Sequence, residues 1–386
     1  HSIINKCSET SSGFPMAVEK LQVEAFLQLA QQFPVLDVRS PGEYIHAQIP
    51  GAYSLPLFSN EERAVVGTAY KNQGRETAIK IGLDYFGPKM RSMVEEVEKI
   101  VADHNPGINH SQNNGKPQSK TVLVHCWRGG MRSSGVAWLL GLYGFKVYTL
   151  HGGYKFFRRW VLEKFNQNFS FKILGGYTGS GKTELIHELN ARGEKIVDLE
   201  FLARHRGSAF GDMEFEKQPS QEMFENRVAV ALSVSGEHWE NNMQSGEKEI
   251  WLEDESQRIG KVNIPNAMWA TMRNAPVYFV EIPFEERLKK IVRDYGTMDK
   301  ERLGDAIIRI QKRLGGLETK MAIEFLQNNN IEESFRILLR YYDKAYSKSL
   351  NKRKDLESLL TKIPGEIINS KDNATRILKS KIPKVI

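Results

Sequence analysis

The sequence predicts an α/β protein: two parallel-sheet domains in succession, with a helical segment at the C-terminal end. Three observations carry this. Short apolar runs of strand length alternate with helical stretches up to about residue 150, GYTGSGKT (176–183) sits between a new apolar run and a helix, and the periodicity turns mainly helical from about residue 299. Strands alternating with helices imply a parallel sheet covered on both faces. A chain of 386 residues, 40% hydrophobic and 26% charged, has room for two or three globular domains at ~100–200 residues each.

Taken in order, PVLDVRS (34–40) is an apolar run closing on charge, with Pro41 and Gly42 as breakers, and reads as a buried strand and turn. A mainly helical insertion follows, from about residue 57 to 118, and ends in the polar loop NPGINHSQNNGKPQSK (105–120). TVLVHC (121–126) is a second strand, SSGVAWLLGLYG a helix and KVYTL (146–150) a third strand. Functional groups on such sheets collect at the carboxyl ends of the strands, which is where Asp37 and Cys126 fall. We bound this first domain at 14–153, with a connecting helix at 154–169. The second domain, 170–300, has strands in FKILGG, IVDLE, EIWLED and APVYFVEI, and 301–386 reads as a helical, basic segment. No internal repeat is visible.

Several classes are excluded or disfavoured. The most apolar window, GVAWLLGLYGF (135–145), is far short of the ~20 residues that cross a bilayer, so no membrane role is expected. HSIINKCSETSSG lacks the basic-then-apolar order of a secretory signal. Two cysteines, Cys7 and Cys126, give no disulfide framework, and no metal-ligand spacing occurs. The expectation is a reducing, cytoplasmic setting without a structural metal. Residues 344–386 hold eleven Lys or Arg against four Asp or Glu, so they carry the whole net charge of +7. A nucleic-acid backbone such as that of tRNA is a natural partner for such a segment, and a solvated helical tail is the competing reading.

GYTGSGKT matches the Walker A pattern in the context it requires, after a strand and before ELIHELN. It predicts a P-loop NTPase-like domain. Gly176, Gly179, Ser180 and Gly181 would turn backbone N–H groups onto an anion, Lys182 would neutralise phosphate, and Thr183 is a candidate Mg2+ ligand. Asp198 and Glu200 in DLE, and Glu253 and Asp254 in EDES, follow apolar strands and are candidate supports, with helix capping as the alternative for the aspartates. His205 and Arg206 in HRGSAFG are candidate anion clamps, or part of a surface turn.

HCWRGGMRS (125–133) places Cys126 and Arg132 at phosphatase-like Cys-x5-Arg spacing. A cysteine at a strand end, before a glycine-rich turn and a helix, sits where N–H groups and the helix dipole favour an anion. Arg128 and Arg132 add positive charge. The loop suits a thiolate nucleophile and equally a tetrahedral oxyanion. A phosphatase also needs a general acid, and no stretch identifies one.

Upstream, LDVRSPGEYIHAQIPGA (36–52), which includes Asp37 and Arg39, resembles the rhodanese signature, and rhodaneses carry sulfur on the loop cysteine. Gln48 stands where many rhodaneses have His. Taken together with EERAVVGTAYK, GYTGSGKT, DLEFLARHRGSAFG, QPSQEMFEN and EDESQRIG in this order, the chain resembles the tRNA 2-selenouridine synthase family from about residue 34 to 346. The resemblance implies an enzyme acting on wobble 2-thiouridine of tRNA. The sulfur would be geranylated from geranyl diphosphate, and the S-geranyl group then replaced by selenium from selenophosphate. It implies Cys126 with its arginines as the selenophosphate site and residues 176–183 as the diphosphate site. No tightly bound cofactor is implied, Mg2+ is a candidate, and the oligomeric state is left open. Cys7 lies outside every family block. The alternatives are a rhodanese-fold phosphatase or sulfurtransferase fused to a P-loop kinase, and a non-enzymatic anion-sensing or tRNA-binding module. Phosphate release from an aryl phosphate or transfer from ATP would mark the first.

Overall fold

The strand that ends at His125 is the centre of the first sheet. In a computed structural model, residues 18–104, 120–205, 217–234 and 249–380 are described; Cys7, Arg206 and all but the last residue of the 105–120 loop lie outside them. Among the described residues the first sheet has five parallel strands: β1 (Glu19–Leu21), β2 (Val35–Asp37), β3 (Tyr53–Ser54), β4 (Thr121–His125) and β5 (Lys146–Leu150), in the order β1-β5-β4-β2-β3. Every residue of β4 is buried, as expected of a strand covered on both faces. The two outer strands have three and two residues, too few for an alternation to show, and the sequence reading passes over them.

The insertion folds as helices Asn60–Gln73, Arg75–Phe86 and Met90–Asp103. The first starts at a capping box: the Ser59 hydroxyl accepts from Glu62 N–H, and the Glu62 carboxylate accepts from Ser59 N–H at 2.8 Å. The third buries Met93, Val97 and Ile100, a helical stripe, in the core with Leu36, Val124 and Leu140.

The chain divides into two compact units between Val161 and Leu162. This differs from a connector starting at residue 154. The helix Gly153–Lys164 buries Tyr154, Phe157 and Val161, and their i, i+3, i+7 spacing makes it a packed layer of the first unit for most of its length.

The second unit holds a further parallel sheet: β6 (Phe171–Gly176), β7 (Lys195–Val197), β8 (Ile250–Glu253), β11 (Val277–Glu281) and β12 (Leu360–Pro364), ordered β12-β11-β6-β8-β7. β9 (Arg258–Ile259) and β10 (Val262–Asn263) form a separate antiparallel pair. β6 is central, so the loop that follows it opens at the carboxyl edge between β8 and β11. The 301–386 segment is mainly helical as read, and β12 is a strand within it that the sequence reading did not place. That segment closes the sheet edge, and Ile363, Ala374 and Ile377 pack into one core with Leu174, Leu185 and Val280. Among the described residues no helix is long and apolar enough to cross a membrane.

Candidate functional site

Cys126 follows β4 directly, and its loop leads into the helix Met131–Tyr143. The loop is pinned from the Gly153–Lys164 helix, where Tyr154 N–H donates to Cys126 O at 2.8 Å and Lys155 N–H to Trp127 O at 2.9 Å. Gly153 has φ +61°, and a Cβ there would stand 2.4 Å from both Cys126 O and Gly129 N, so only glycine permits the approach. Cys126 is buried at 3% exposure, with its Sγ 3.3 Å from Ser133 Oγ. Arg128 is exposed and, among the described residues, makes no ion pair. Arg132 instead donates to the Glu43 carboxylate at 2.9 Å. Burial raises the Glu43 carboxyl, and Arg132 more than offsets this, leaving it below its usual range.

Asp37 and Arg39 are not open to a ligand. The Arg39 guanidinium donates to both Asp37 oxygens at 2.6–3.0 Å and to Ala47 O at 2.7 Å, and stacks 3.8 Å over Tyr154. Both side chains are almost wholly buried. Burial opposes the charge on Asp37, and the arginine fork restores it, holding the carboxyl below its usual value. Burial pushes the His125 imidazolium pKa down, against the pull of the Asp37 carboxylate 3.6 Å away. With Asp37 and Glu43 both committed to arginines, neither is a ready general acid for phosphatase chemistry.

In the second unit, β6 ends at Gly176 and the helix Lys182–Ala191 begins at Lys182, so residues 177–181 form the intervening turn. Gly179 has φ +81°, and a Cβ there would meet Ile291 Cγ1 at 2.9 Å. The Lys182 ammonium donates to Gly176 O at 3.0 Å. The loop is braced from outside: Arg287 donates to Thr178 O at 3.1 Å and forms a bidentate pair with Asp343 at 2.7 and 2.8 Å. A cavity of about 430 Å³ opens here, lined by Gly179, Ser180, Gly181, Lys182 and Thr183 among others.

Three carboxylates gather at its edge. Glu200, Glu253 and Glu255 each place an oxygen within 4.8 Å of the others. Glu253, the last residue of β8, lines the cavity with Thr183, and its Oε1 is buried without a partner among the described residues. Burial, reinforced by Glu200, pushes both the Glu253 and Glu255 carboxyls well up. Such a set of hard oxygen donors fits a divalent cation. Asp254 is spoken for differently: Arg353 Nη2 reaches its Oδ1 at 2.6 Å, and the Tyr346 hydroxyl donates to its Oδ2 at 2.7 Å. Gly176 N–H in turn donates to the Tyr346 oxygen at 3.4 Å.

A family model described as the tRNA 2-selenouridine synthase AAA domain matches residues 169–369, and one for the rhodanese-like domain matches residues 22–159. The tRNA 2-selenouridine synthase of Nitrosomonas europaea is 31% identical over 369 residues, covering 83% of this chain and 90% of its own. This chain belongs to the tRNA 2-selenouridine synthase family. Proteins of the same description from Hahella chejuensis (34% identity; 83% of this chain, 86% of that one) and Bdellovibrio bacteriovorus (31%; 88% and 94%) are similar to it along nearly their whole length.

For this family member the sequence-predicted residues fall into three groups. Cys126, Arg128 and Arg132 share one loop and the helix after it, while Gly179 through Thr183, Glu200, Glu253 and Asp254 line one cavity. Gly176 precedes that cavity as the acceptor for Lys182. Asp198 and His205 stand outside it. Asp198 caps the helix Leu199–Ala203 by accepting from Phe201 N–H at 2.8 Å, and pairs with His187 at 3.0 Å; His205 lies against Gly260 beside Gln218. Arg206 is outside the described residues. Sequence reasoning missed Glu43, Arg287, Tyr346 and Arg353, none of which belongs to a motif that announces its partner, and it gave Ser133, the last residue of HCWRGGMRS, no role. The basic C-terminal segment, read either as a nucleic-acid contact or as a solvated helical tail, engages some of its cations within the fold: Arg353 is buried, Arg376 donates to Pro364 O and Lys362 pairs with Glu281. Those cations serve the fold.

Proposed function

We propose that this chain converts wobble 2-thiouridine of tRNA to 2-selenouridine in the cytoplasm, by S-geranylation at the phosphate loop followed by selenation at the Cys126 loop. The observation that carries the reading is the pairing, in one chain, of a Walker A loop with a cysteine loop whose Arg128 is exposed and, among the described residues, in no ion pair. Each sits at the carboxyl edge of its own parallel sheet.

In the first step the uridine sulfur attacks C1 of geranyl diphosphate. The C1–O bond breaks and its electron pair leaves with diphosphate, while the uridine N3–H proton is lost to solvent. An allylic carbon becomes cationic as it departs, so neutralising the diphosphate is the main help a protein can give. Lys182 and the N–H groups of the turn supply that charge. Thr183, Glu253, Glu200 and Glu255 would hold Mg2+, which would offset more of the diphosphate charge when bound. The buried, unpartnered Glu253 Oε1 supports this assignment. In the second step selenophosphate, an anion shaped like phosphate, meets the Cys126 loop with Arg128 as its counter-charge. Its P–Se bond breaks with the phosphoryl group passing to water as inorganic phosphate, selenium bonds to C2 of the uracil ring, and the C2–S bond breaks with geranyl thiol as the leaving group. Trp127 and Met131 are exposed on the same loop and helix start and suit contact with an unstacked base.

The test is nucleoside analysis of 2-thiouridine tRNA incubated with each donor separately. Geranyl diphosphate alone should yield S-geranyl-2-thiouridine, and selenophosphate should convert that product but not the unmodified thiouridine. Selenation of tRNA that was never geranylated would overturn the order.

A further inference from the structure

Behind the phosphate loop a second, apolar cavity of about 30 Å³ lies between the helices Phe284–Tyr295 and Ile331–Leu350. Thr178, Ile291, Tyr295 and Tyr342 line both this cavity and the larger one, so the two adjoin. Beyond them Phe335, Leu338 and Leu339 close the far end, each at most 3% exposed. The residues 335, 338, 339 and 342 follow the i, i+3, i+4, i+7 rule and form one helix face. Residues 291 and 295 form the facing ridge one turn apart. No charged side chain lines this space.

A ligand anchored by phosphate at residues 179–183 has this apolar wall on one side, whereas the rest of the larger cavity is lined by charged and polar groups such as Lys290, Asp294 and Tyr346. A nucleoside needs several placed donors and acceptors, and the only polar side-chain atoms on this wall are hydroxyls of Thr178, Tyr295 and Tyr342. We propose that the cleft between these helices receives the terminal isoprene of the allylic diphosphate, with Phe335, Leu338 and Leu339 setting the chain length admitted. This rests on the prenyl-transfer reading above. A void of this size holds about two waters at ~10–15 Å³ each. The head and proximal carbons accordingly occupy the larger cavity, and only the tail tip reaches the cleft, whose far end the Phe335 ring closes.

The experiment is calorimetric titration of the full chain with inorganic diphosphate, geranyl diphosphate, farnesyl diphosphate and ADP. Geranyl diphosphate should bind at least ~10-fold more tightly than inorganic diphosphate, and more tightly than ADP. Leu339→Trp fills the cleft and should remove most of that advantage while inorganic diphosphate still binds. Phe335→Ala lengthens the cleft and should move preference toward farnesyl diphosphate by about tenfold. Phe335→Ala guards against a misfolded Leu339→Trp, because each variant is judged only where it binds inorganic diphosphate. If geranyl diphosphate has its advantage in the wild type and neither variant changes it or the chain-length preference, the cleft assignment is wrong. If the wild type shows no such advantage, or prefers ADP, the prenyl-transfer reading itself fails.

Discussion

The Cys126 thiol and the Ser133 hydroxyl lie 3.3 Å apart, and Ser133 also donates to Gly130 O at 3.1 Å. With its proton on that carbonyl, Ser133 Oγ accepts from the thiol. When the sulfur is anionic the same hydroxyl can turn and donate to it. A hydrogen bond to a charged group contributes about 1.5–3 kcal/mol. Ser133→Ala should slow selenium incorporation by ~10- to 100-fold, leaving geranylation unchanged. Single-turnover assays of the two steps check this, and equal slowing of both would point to a general loss of structure.

Asp254 and Arg353 form a buried pair separated by 99 positions. Removing one partner of such a pair costs about 3–5 kcal/mol, because the other charge is left buried alone. Arg353→Met should lower stability by that amount in urea unfolding, and adding Asp254→Asn should recover part of it. A loss of less than about 1 kcal/mol would mean the pair is solvated.

Asp37→Asn separates a fold residue from a site residue. Asp37 is held below its usual range, so its contribution to stability is present above the unfolded value of ~3.9 and is lost as pH falls through the folded value. The variant leaves the buried Arg39 unpaired and should unfold about 3–5 kcal/mol more easily at neutral pH. A stable variant with impaired selenation would return Asp37 to the reaction.

Glu253 and Glu255 have the opposite sign. Their carboxyls are raised in the folded state, which therefore binds more protons than the unfolded chain. Stability is full below the unfolded value of ~4.3 and declines as pH rises from there toward the folded values. Mg2+ should raise the melting temperature most at the upper end of this range, because its binding displaces protons. Glu253→Gln should flatten the decline and abolish the Mg2+ effect. Melting curves across pH, with and without Mg2+, show both, and an unchanged Mg2+ response would exclude Glu253 as a ligand.

Motif-bearing parts of the molecule were legible in the sequence. TVLVHC and GYTGSGKT each combine a strand, a turn and a helix start, so local chemistry dictates their backbone and places Cys126 and Lys182 at sheet edges. What was hidden depends on distant partners. An aspartate at a strand end reads the same whether it serves the site there, as expected for Asp37, or is forked by an arginine two residues on. Arg353 looks like one more cation in a basic tail until the fold brings Asp254 to it. β12 escaped notice because its five residues show no alternation, only Ile363 being fully buried.

The central claim is that the two loops divide the chemistry, with Cys126 serving selenation alone. The most direct measurement is mass spectrometry of nucleosides from 2-thiouridine tRNA treated with Cys126→Ser protein, geranyl diphosphate and selenophosphate together. The account predicts that S-geranyl-2-thiouridine accumulates and 2-selenouridine is absent. Wild-type amounts of 2-selenouridine from that variant would contradict it.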